Sequence, residues 1–234
     1  MAYRRTPAVQ ARLDAQREAV LEAAVGLLAE RGYGGCTMAA VADRAGIATG
    51  SVYQHFTNKA DLSVQLFRRV VTREIAAVNA AVARRETPEQ RIAAVVETFA
   101  TRALRAPRLA YALLVEPADA VVDAERLVFR RAFRDVIAAE IAAAVAAGRL
   151  PAQDPVLTAA ALVGAVGEAL AGPLAAEPEP EPAPAEPAPA GTAPAGTGPT
   201  DTTPAGPDRT TAEVVPALVS FTLRALGGRD DSDA

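Results

Sequence analysis

The apolar residues of this chain recur at helical spacing almost throughout. In residues 59–85 they return every three or four positions, which is the spacing of one face of an α-helix. The same spacing predicts a first helix over residues 10–31 and a last one over residues 211–226. Further helices are predicted to open at Thr87, Pro107, Asp119 and Pro155, and to run from Pro155 to Ala171 in the last case. The predicted fold class is therefore all-α.

Residues 37–62 have the pattern of two short helices joined by a tight turn and followed by a longer helix. Thr37 is a suitable N-cap for the first short helix, because its hydroxyl accepts a hydrogen bond from a free backbone N–H. Gly46 follows the last apolar residue of that helix, where chains often turn through a left-handed conformation that favours glycine.

The second short helix is predicted to be capped by Thr49 and to end near His55. Val52 and Phe56 lie four residues apart and share its buried side. The opposite side then faces outward with small hydroxyls and one amide, which suit the major groove of DNA.

This run resembles the helix-turn-helix of the TetR family of bacterial transcriptional regulators. The matching positions have the spacing TxxxVAxxAGIxxGxVYxHFxxKxxL between Thr37 and Leu62. The chain departs from the family at Ala48, where the family often has a hydroxyl residue. The resemblance implies an N-terminal three-helix head that binds DNA, residues 1–58. It also implies a C-terminal helical domain for ligand binding and dimerisation, residues 59–234.

The resemblance assigns DNA contacts to residues of the two short helices and to the start of the next helix. The base-facing candidates are Thr49, Ser51 and Gln54, and Gly50 lets the backbone approach the groove. The alternative for these residues is an ordinary solvated helix face. The complete set of DNA-binding candidates is Thr37, Arg44, Thr49, Gly50, Ser51, Tyr53, Gln54, His55 and Lys59.

Tyr53, His55 and Lys59 are the phosphate-contact candidates, since their donors anchor the helix without reading sequence. A lone histidine is more often structural, and its place in the motif is what favours a contact. Thr37 is compatible with capping a helix and touching phosphate at once. For Arg44, contact with the DNA backbone and simple solubilisation are equal alternatives.

The charge distribution supports the head as the DNA-binding end. The net charge of −4 argues against a nucleic-acid binder when taken alone. Residues 1–85, however, hold 12 Lys and Arg against 7 Asp and Glu (+5), while residues 86–234 hold 12 against 21 (−9). Arg4, Arg5 and Arg12 are further candidates for phosphate or minor-groove contacts, with an ordinary charged terminus as the equal alternative.

Dimerisation is expected from the last two helices, which form a four-helix interface in the resembling family. Small residues on one side of the eighth predicted helix would let two helix backbones approach closely. The last helix is apolar on more than one face, which favours a partner. The predicted interface residues are Ala160, Gly164, Gly167, Ala171, Val215, Leu218, Val219, Thr222 and Leu226. A two-fold dimer of this kind would read a palindrome in double-stranded DNA.

The helical body is where the resembling family binds small effectors. The candidate lining residues are Phe99, Tyr111, Phe129, Phe133 and Glu168. Aromatic residues at helical spacing are more often core than pocket, so ordinary packing is the main alternative. Glu168 is the most informative candidate, because a buried carboxylate would need a partner or a ligand.

Residues 173–209 are rich in Pro, Ala, Gly, Thr and Glu and have no periodic apolar face. We predict a disordered linker there, since such a segment buries too little apolar surface to offset the entropy of ordering. The preceding stretch, residues 156–176, is long enough to span a membrane. Glu168 at its centre and its lack of basic flanks favour a buried helix and no membrane contact.

The cysteine and histidine content limits the chemistry of the chain. One cysteine, Cys36, excludes an internal disulfide, and with one histidine, His55, it excludes a Cys/His zinc site. We therefore expect no metal and no cofactor. Both residues lie in the predicted head. No pairing of a hydroxyl with a base and no group of carboxylates stands out in the sequence, and together these observations argue against an enzyme. The lack of a signal peptide indicates the cytoplasm.

These observations predict a sequence-specific transcriptional regulator, a homodimer that a small-molecule effector releases from a palindromic operator. Repression is the prediction, because most members of the resembling family are repressors. The alternatives are a transcriptional activator and a dimeric interaction module whose DNA head no longer functions.

Overall fold

A computed structural model describes residues 6–175 and 211–227 of the chain. Within these two ranges the regular elements are helices, and no strand is present. The all-α prediction is therefore confirmed for them. The helices are α1 (Pro7–Gly35), α2 (Met38–Arg44), α3 (Thr49–Val52), α4 (Lys59–Val82), α5 (Pro88–Arg105), α6 (Pro107–Leu114), α7 (Ala120–Ala146), α8 (Pro155–Ala175) and α9 (Thr211–Ala225).

The ends of several helices are set by side-chain caps that the sequence predicts. The Thr37 hydroxyl accepts a 3.1 Å hydrogen bond from the Ala40 N–H at the start of α2. Thr87 caps α5 in a capping box with Gln90. Gly46 has a φ of +65° just after α2, as predicted for a left-handed helix end.

Two details of the short helix α3 differ from the prediction. The sequence favours Thr49 as its cap, but the N-cap position is Ala48, whose side chain makes no capping hydrogen bond. The helix ends at Val52 and not near His55. The turn continues beyond it through hydrogen bonds from the N–H groups of His55 (2.9 Å) and Phe56 (3.0 Å) to the Val52 carbonyl. Local packing thus holds a helix-like turn where the regular helix has stopped.

The prediction that α8 ends at Ala171 and that a linker starts at residue 173 is wrong by a full turn. The helix continues to Ala175 with Pro173 inside it. Proline costs a helix one backbone hydrogen bond, but Leu174 is only 3% exposed and packs in the same cluster as Leu170. Burial of the last turn outweighs the break. The rest of the predicted linker, residues 176–209, lies outside the described residues.

A continuous hydrophobic core joins the N-terminal helices to the rest of the chain. It extends from Val20 on α1 through Phe67 on α4 and Ile141 on α7 to Leu226 after α9. Helix α4 packs against α1, α5 and α7, so it belongs to both halves. The proposed boundary between residues 58 and 59 stays a prediction.

Helix α8 is apolar along most of its surface. Its length and composition would suffice to cross a membrane, with a mean hydropathy of 1.5 and 22% of its most apolar window buried. Core helices of soluble proteins meet the same criterion, so length and composition do not decide its environment. In the fold, Ala159, Leu162 and Val166 are buried on one side, while Val156 and Leu157 are exposed on the other.

Candidate DNA-binding surface and ligand cavity

The short helices α2 and α3 are held by a small core of their own. Val41 and Val52 are 0% exposed, and Phe56 is 1% exposed. The guanidinium carbon of Arg17 on α1 lies 5.5 Å from the centre of the Phe56 ring, which fixes the ring from the solvent side. This packing uses the apolar side of α3 completely, so its polar side faces away from the protein.

The outward side of α3 has the composition that the sequence predicts for base contacts. Thr49, Gly50 and Gln54 are exposed, and Ser51 is half-buried. The side chain of Tyr53 is 53% exposed. A Cβ added at Gly50 would meet no atom within 4 Å, so glycine is not required there for packing. These residues form a polar surface with no structural task inside the chain, as expected of a groove-facing element.

The phosphate-contact candidates differ in their solvent exposure and in their contacts within the chain. Tyr53 is exposed, and Lys59 is half-exposed at the first position of α4. His55 is half-buried, and its Nε2 lies 3.2 Å from Oε1 of Gln16 on α1. This contact gives His55 a structural partner that the sequence motif does not reveal. Thr37 remains exposed while it caps α2, so its two predicted roles are compatible.

Arg44 at the end of α2 is engaged with the first helix. Its guanidinium donates two hydrogen bonds to the Glu30 carboxylate, at 2.6 and 2.5 Å. The same hydrogen bonding lowers the pKa of Glu30. A Cβ on Gly26 would lie 3.0 Å from the guanidinium carbon, so the absence of a side chain there leaves room for the pair. Arg44 thus connects α2 to α1 through this ion pair.

Arg12 is exposed on α1, while Arg4 and Arg5 lie outside the described residues.

The head meets the body where α1 ends. The helix turns sharply at Gly32, which has a φ of +64° and a ψ of −170°. The next N–H, that of Tyr33, donates a hydrogen bond to Oε1 of Glu116. Arg126 of α7 donates hydrogen bonds to the carbonyls of Ala112, Leu113 and Glu116, at 2.8, 2.8 and 2.6 Å. This network connects the last turn of α6 to the end of α1.

Two adjacent apolar cavities lie in the body. The first, which we call the α8 chamber, has a volume of about 60 Å³ and is partly open to solvent. It is bounded by helices α5 to α8. Its lining residues are Val95, Val96, Phe99, Leu114, Phe129, Arg130, Phe133, Ile137, Leu162, Val163, Val166 and Gly167. An apolar cavity with a single arginine side chain at its rim suits a largely hydrophobic ligand with an anionic end.

The second cavity, which we call the α4 chamber, has a volume of about 70 Å³. It is bounded by α4, α5, α6 and one residue of α7. Its lining residues are Val70, Val71, Glu74, Phe99, Arg102, Ala103, Ala106, Leu109, Ala110, Leu113, Leu114 and Phe129. The chambers share Phe99, Leu114 and Phe129, so these side chains form the wall between them.

Three of the five residues predicted to line a ligand site lie at the α8 chamber. Phe99, Phe129 and Phe133 form an aromatic cluster with ring centres 4.6 to 6.4 Å apart. Tyr111 lines a separate surface groove beside Gly32 and Leu174. The prediction for Glu168 is wrong, because its side chain is exposed on α8 and does not line the chamber. A helix that is apolar on all sides gives no sequence signal of which side turns inward.

The N-terminal domain can be assigned to a family by sequence. Residues 20–66 match the family described as "Bacterial regulatory proteins, tetR family". Over these residues the chain is similar to the TetR family. The match covers the second half of α1, both short helices of the helix-turn-helix and the start of α4, which are the elements that build the exposed polar surface.

Curated proteins that match part of the chain are regulators by name. Over 86 residues it is 35% identical to "HTH-type transcriptional activator FasR" of Mycolicibacterium smegmatis, which covers 37% of this chain and 39% of that protein. Over 77 residues it is 30% identical to "Fatty acid metabolism regulator protein" of Bacillus subtilis, covering 33% of this chain and 40% of that protein. The chain thus spans about two fifths of the length of these relatives.

The body follows the same architecture as TetR-family structures. The "transcriptional regulator FadR from Bacillus subtilis in complex with stearoyl-CoA" superposes with a TM-score of 0.60 and an identity of 20%. The match covers 66% of this chain and 84% of that one. At this identity the likeness establishes the fold.

The residues predicted to form a dimer interface lie in two environments. Val215, Leu218 and Thr222 of α9, and Leu226 directly after it, are at most 9% exposed and pack inside the chain, so little of their surface is open to a partner. These residues form the main apolar face of α9, and this face packs in the hydrophobic core of the same chain. Val219 is half-buried, as are Gly167 and Ala171 on α8, whereas Ala160 and Gly164 on α8 are exposed.

An apolar face is left uncovered on α8 and α9. Leu157 is 69% exposed, Val156 52% and Phe221 43%. A Cβ added at Gly164 or Gly167 would meet no atom within 4 Å, so this part of α8 is open. We refer to these exposed residues of the two helices, Val156, Leu157, Ala160, Gly164 and Phe221, as the α8–α9 face.

Several residues at these sites gave no signal in the sequence. Gln16 holds the imidazole of His55, and Glu30 holds Arg44. Glu116 and Arg126 join α6 to the head, and Arg130 stands at the rim of the α8 chamber. Their roles depend on contacts between residues far apart in the chain, which periodicity does not report.

Proposed function

We propose that the chain is a dimeric transcriptional regulator that binds a palindromic operator and leaves it when a small-molecule effector occupies its body. The observation that carries the proposal is the exposed polar side of α3, set on a fully packed apolar side. Thr49, Gly50 and Gln54 are exposed directly above Val52 and Phe56, which are buried. A TetR-family domain match over residues 20–66 supports DNA as the target of that surface.

In the proposed complex, α3 lies in the major groove. Thr49, Ser51 and Gln54 hydrogen-bond to base edges, and Tyr53 and Lys59 bind phosphates on either side. His55 supports the turn through Gln16 and so positions Tyr53. Two heads in a two-fold dimer would contact half-sites about 34–36 Å apart, one turn of the duplex.

The α8–α9 face is the proposed dimer interface. Leu157 and Phe221 supply exposed apolar area, and Gly164 lets a second α8 approach closely. Large exposed apolar side chains are costly in water, so a second copy that covers them stabilises the assembly. This proposal keeps Ala160 and Gly164 of the predicted interface, adds Val156 and Leu157, and replaces the α9 stripe with Phe221.

The proposed effector is an elongated molecule with an apolar chain and an anionic head. The α8 chamber is lined mainly by aliphatic and aromatic side chains, with Arg130 at the rim. A fatty acyl thioester of coenzyme A has this character, and the Bacillus subtilis FadR structure was solved with stearoyl-CoA. We therefore propose acyl-CoA thioesters as the effector class.

Repression is the proposed effect on transcription, with activation as the second candidate. Activation is favoured by one observation, the name "HTH-type transcriptional activator FasR" of a relative 35% identical over 86 residues. A transcription assay from a promoter that carries the selected operator distinguishes the two by the sign of the change. The proposal assigns the protein no enzymatic role and places it in the cytoplasm with the DNA.

The test is selection of bound sites from random duplex DNA, followed by binding assays on the enriched duplex. We expect enrichment of a palindrome and affinity that falls with rising salt. The variant Gln54→Ala should change the enriched sequence, whereas Arg149→Gln, an exposed arginine on the body, should not. Enrichment of no sequence above bulk competitor would support an interaction module without DNA function and would overturn the proposal.

A further inference from the structure

A surface groove lies where the end of α1 meets α6 and the end of α8, outside the two chambers. We call it the hinge groove, and its walls include residues 28–32 of α1, Arg108 and Tyr111 of α6, Glu116, and Leu174 of α8. It has a volume of about 400 Å³ and is open to solvent. Sites for small organic ligands usually measure about 300–1,000 Å³, so the groove is large enough for such a molecule.

Two arginine side chains of the hinge groove are free to bind an anion. Arg31 lies on α1 and Arg108 on α6, and both are exposed. Neither makes a hydrogen bond or an ion pair within residues 6–175 and 211–227. Glu30 also lines the groove, but both of its carboxylate oxygens are bound by Arg44, and it acts on Arg31 only through its charge. An anion that enters the groove therefore finds unused guanidinium donors on two different helices.

A second surface groove, between α1 and α4, shows that the number of arginines is not what matters. Arg68, Arg69 and Arg73 line it. Each of them forms an ion pair with a glutamate of α1 or α7. An anion would have to displace a carboxylate from each of these side chains before it could bind. The hinge groove differs in that its two guanidinium groups are unpaired in the described part of the chain.

The rest of the hinge groove is both apolar and polar. Leu28 and Leu174 are buried and form an apolar floor, and Tyr111 is half-buried beside them. Glu116 accepts the N–H of Tyr33 through Oε1, and its Oε2 accepts no hydrogen bond from any residue that the structure describes. The groove thus combines cationic donors, an aromatic ring and one free carboxylate oxygen.

We propose that the hinge groove is a binding site for a nucleoside diphosphate. The phosphates lie between Arg31 and Arg108, because guanidinium groups bind phosphate oxygens through paired, charge-assisted hydrogen bonds. The base stacks on the ring of Tyr111, and a ribose hydroxyl donates a hydrogen bond to Oε2 of Glu116. The site is separate from both chambers, and the inference does not depend on the proposed function.

A nucleotide bound in this way joins two parts of the chain. Arg31 belongs to the stretch that matches the family, residues 20–66, whereas Arg108 lies outside it. A diphosphate that binds both arginines holds the end of α1 against α6, beside the hydrogen bond from Tyr33 to Glu116. The Tyr33 amide exchanges its hydrogen when this bond opens, so bound nucleotide should slow that exchange.

Calorimetric titration of ADP and GDP into the full chain tests the site. At least one of them should bind, and the matching nucleoside and pyrophosphate should each bind at least about tenfold more weakly, because each lacks part of the contacts. Failure of both diphosphates to bind would overturn the proposal. Pyrophosphate that binds as tightly as ADP and GDP would show a site for anions only and would overturn the assignment to a nucleotide.

Substitution of the arginines locates the bound nucleotide. Arg31→Gln and Arg108→Gln should each weaken its binding at least about tenfold, the loss expected for a hydrogen bond to a charged group. Arg105→Gln is the matched control, since Arg105 is also exposed, lies near Arg108 in the sequence and does not line the groove. It should change the affinity less than about twofold. Equal affinities of all three variants would place the nucleotide elsewhere and overturn the proposal.

Hydrogen exchange of the Tyr33 amide, followed by NMR, tests the connection between α1 and α6. Saturating nucleotide should slow this exchange at least about fivefold. Binding that depends on both arginines but leaves the exchange of Tyr33 unchanged would overturn the proposed connection. Both measurements are made without DNA, so they give the same answer whether or not the chain selects an operator.

Discussion

The backbone N–H of Tyr33 donates a 3.0 Å hydrogen bond to Oε1 of Glu116, across 83 positions of sequence. The bond joins the end of α1 to the segment that follows α6, and Leu114, the last residue of α6, lines both chambers. It depends on the path of the chain at Gly32, where a Cβ would lie 2.5 Å from Oε2 of the same glutamate. Glycine at this position therefore serves both the backbone conformation and the close approach of the carboxylate.

Gly32→Ala should destabilise the fold by about 1–3 kcal/mol, because alanine is strained at a φ of +64° and its methyl displaces Glu116 from Tyr33. For a chain of this size, the melting temperature should fall by about 2–4 °C for each kcal/mol. Gly34→Ala is the matched control, since a Cβ there meets no atom within 4 Å and its φ is not positive. Equal melting temperatures of the two variants would refute this account of Gly32.

Lys59→Gln should weaken binding to the selected operator and lower the salt dependence of log K by about one for each phosphate that the protein no longer neutralises. Both half-sites of a palindrome are affected, so the dimer shows the effect twice. Arg149→Gln removes the same charge from the body, where Arg149 pairs with Glu89 at 3.4 Å. It should leave the slope unchanged. Anisotropy titrations at several salt concentrations measure both, and equal slopes would exclude Lys59 from the interface.

Tyr53→Phe removes a hydroxyl from a side chain that is 53% exposed and whose ring is not required for the core. We expect the binding free energy to weaken by about 1 kcal/mol for each half-site, the contribution of a typical hydrogen bond, with no change in melting temperature. The sequence preference of the enriched site should be unchanged, because phosphate contacts carry no base information. A changed preference would instead assign Tyr53 to base readout.

Leu157→Glu should convert the dimer to a monomer by placing a charge in the proposed interface, where Leu157 is 69% exposed in the single chain. Leu127→Glu on α7 is the matched control, because Leu127 is 53% exposed and lies outside the α8–α9 face. Sedimentation velocity distinguishes the two. A dimer that survives Leu157→Glu and dissociates with Leu127→Glu would move the interface to α7.

Burial raises the pKa of the Cys36 thiol from 9.0 to about 11. The unfolded chain loses this proton first, so the free energy of unfolding should fall as pH rises from 9 to 11 and be independent of this group below pH 9. The expected slope is about 1.4 kcal/mol per pH unit. Urea titrations of the chain and of Cys36→Ala measure it. The free energy of unfolding of the chain minus that of the variant should fall with this slope between pH 9 and 11. A constant difference over this range would show that the fold does not hold the thiol neutral.

Helices with one apolar face could be predicted closely from the sequence. For α4, the stripe through Leu62, Leu66 and Val70 is buried as expected, and the helix begins at the predicted Lys59. The ends of α2 in the helix-turn-helix could be predicted equally well, because the Thr37 cap and the left-handed conformation of Gly46 depend on local backbone chemistry. Short-range signals of this kind need no knowledge of the rest of the fold.

The wrong predictions concern features that depend on contacts between residues far apart in the sequence. Helix α8 is apolar on all sides, so the sequence does not show that Glu168 faces solvent or that Leu174 is buried beyond Pro173. On α9, the apolar stripe could cover either a second chain or the chain itself, and Thr222 at 0% exposure shows that it is the chain itself. The cavity wall at Phe99 is a further case, because its neighbours come from three different helices.

The unbroken core from Val20 to Leu226 has a consequence for how the molecule melts. Because the first helix shares buried neighbours with the fourth and seventh, cooperativity extends over both ends of the chain. Heating should give one calorimetric transition, in which the helix-turn-helix and the rest unfold together. A fragment of residues 1–58 would lack the wall that Leu66 and Phe67 provide, and so would stay unfolded on its own.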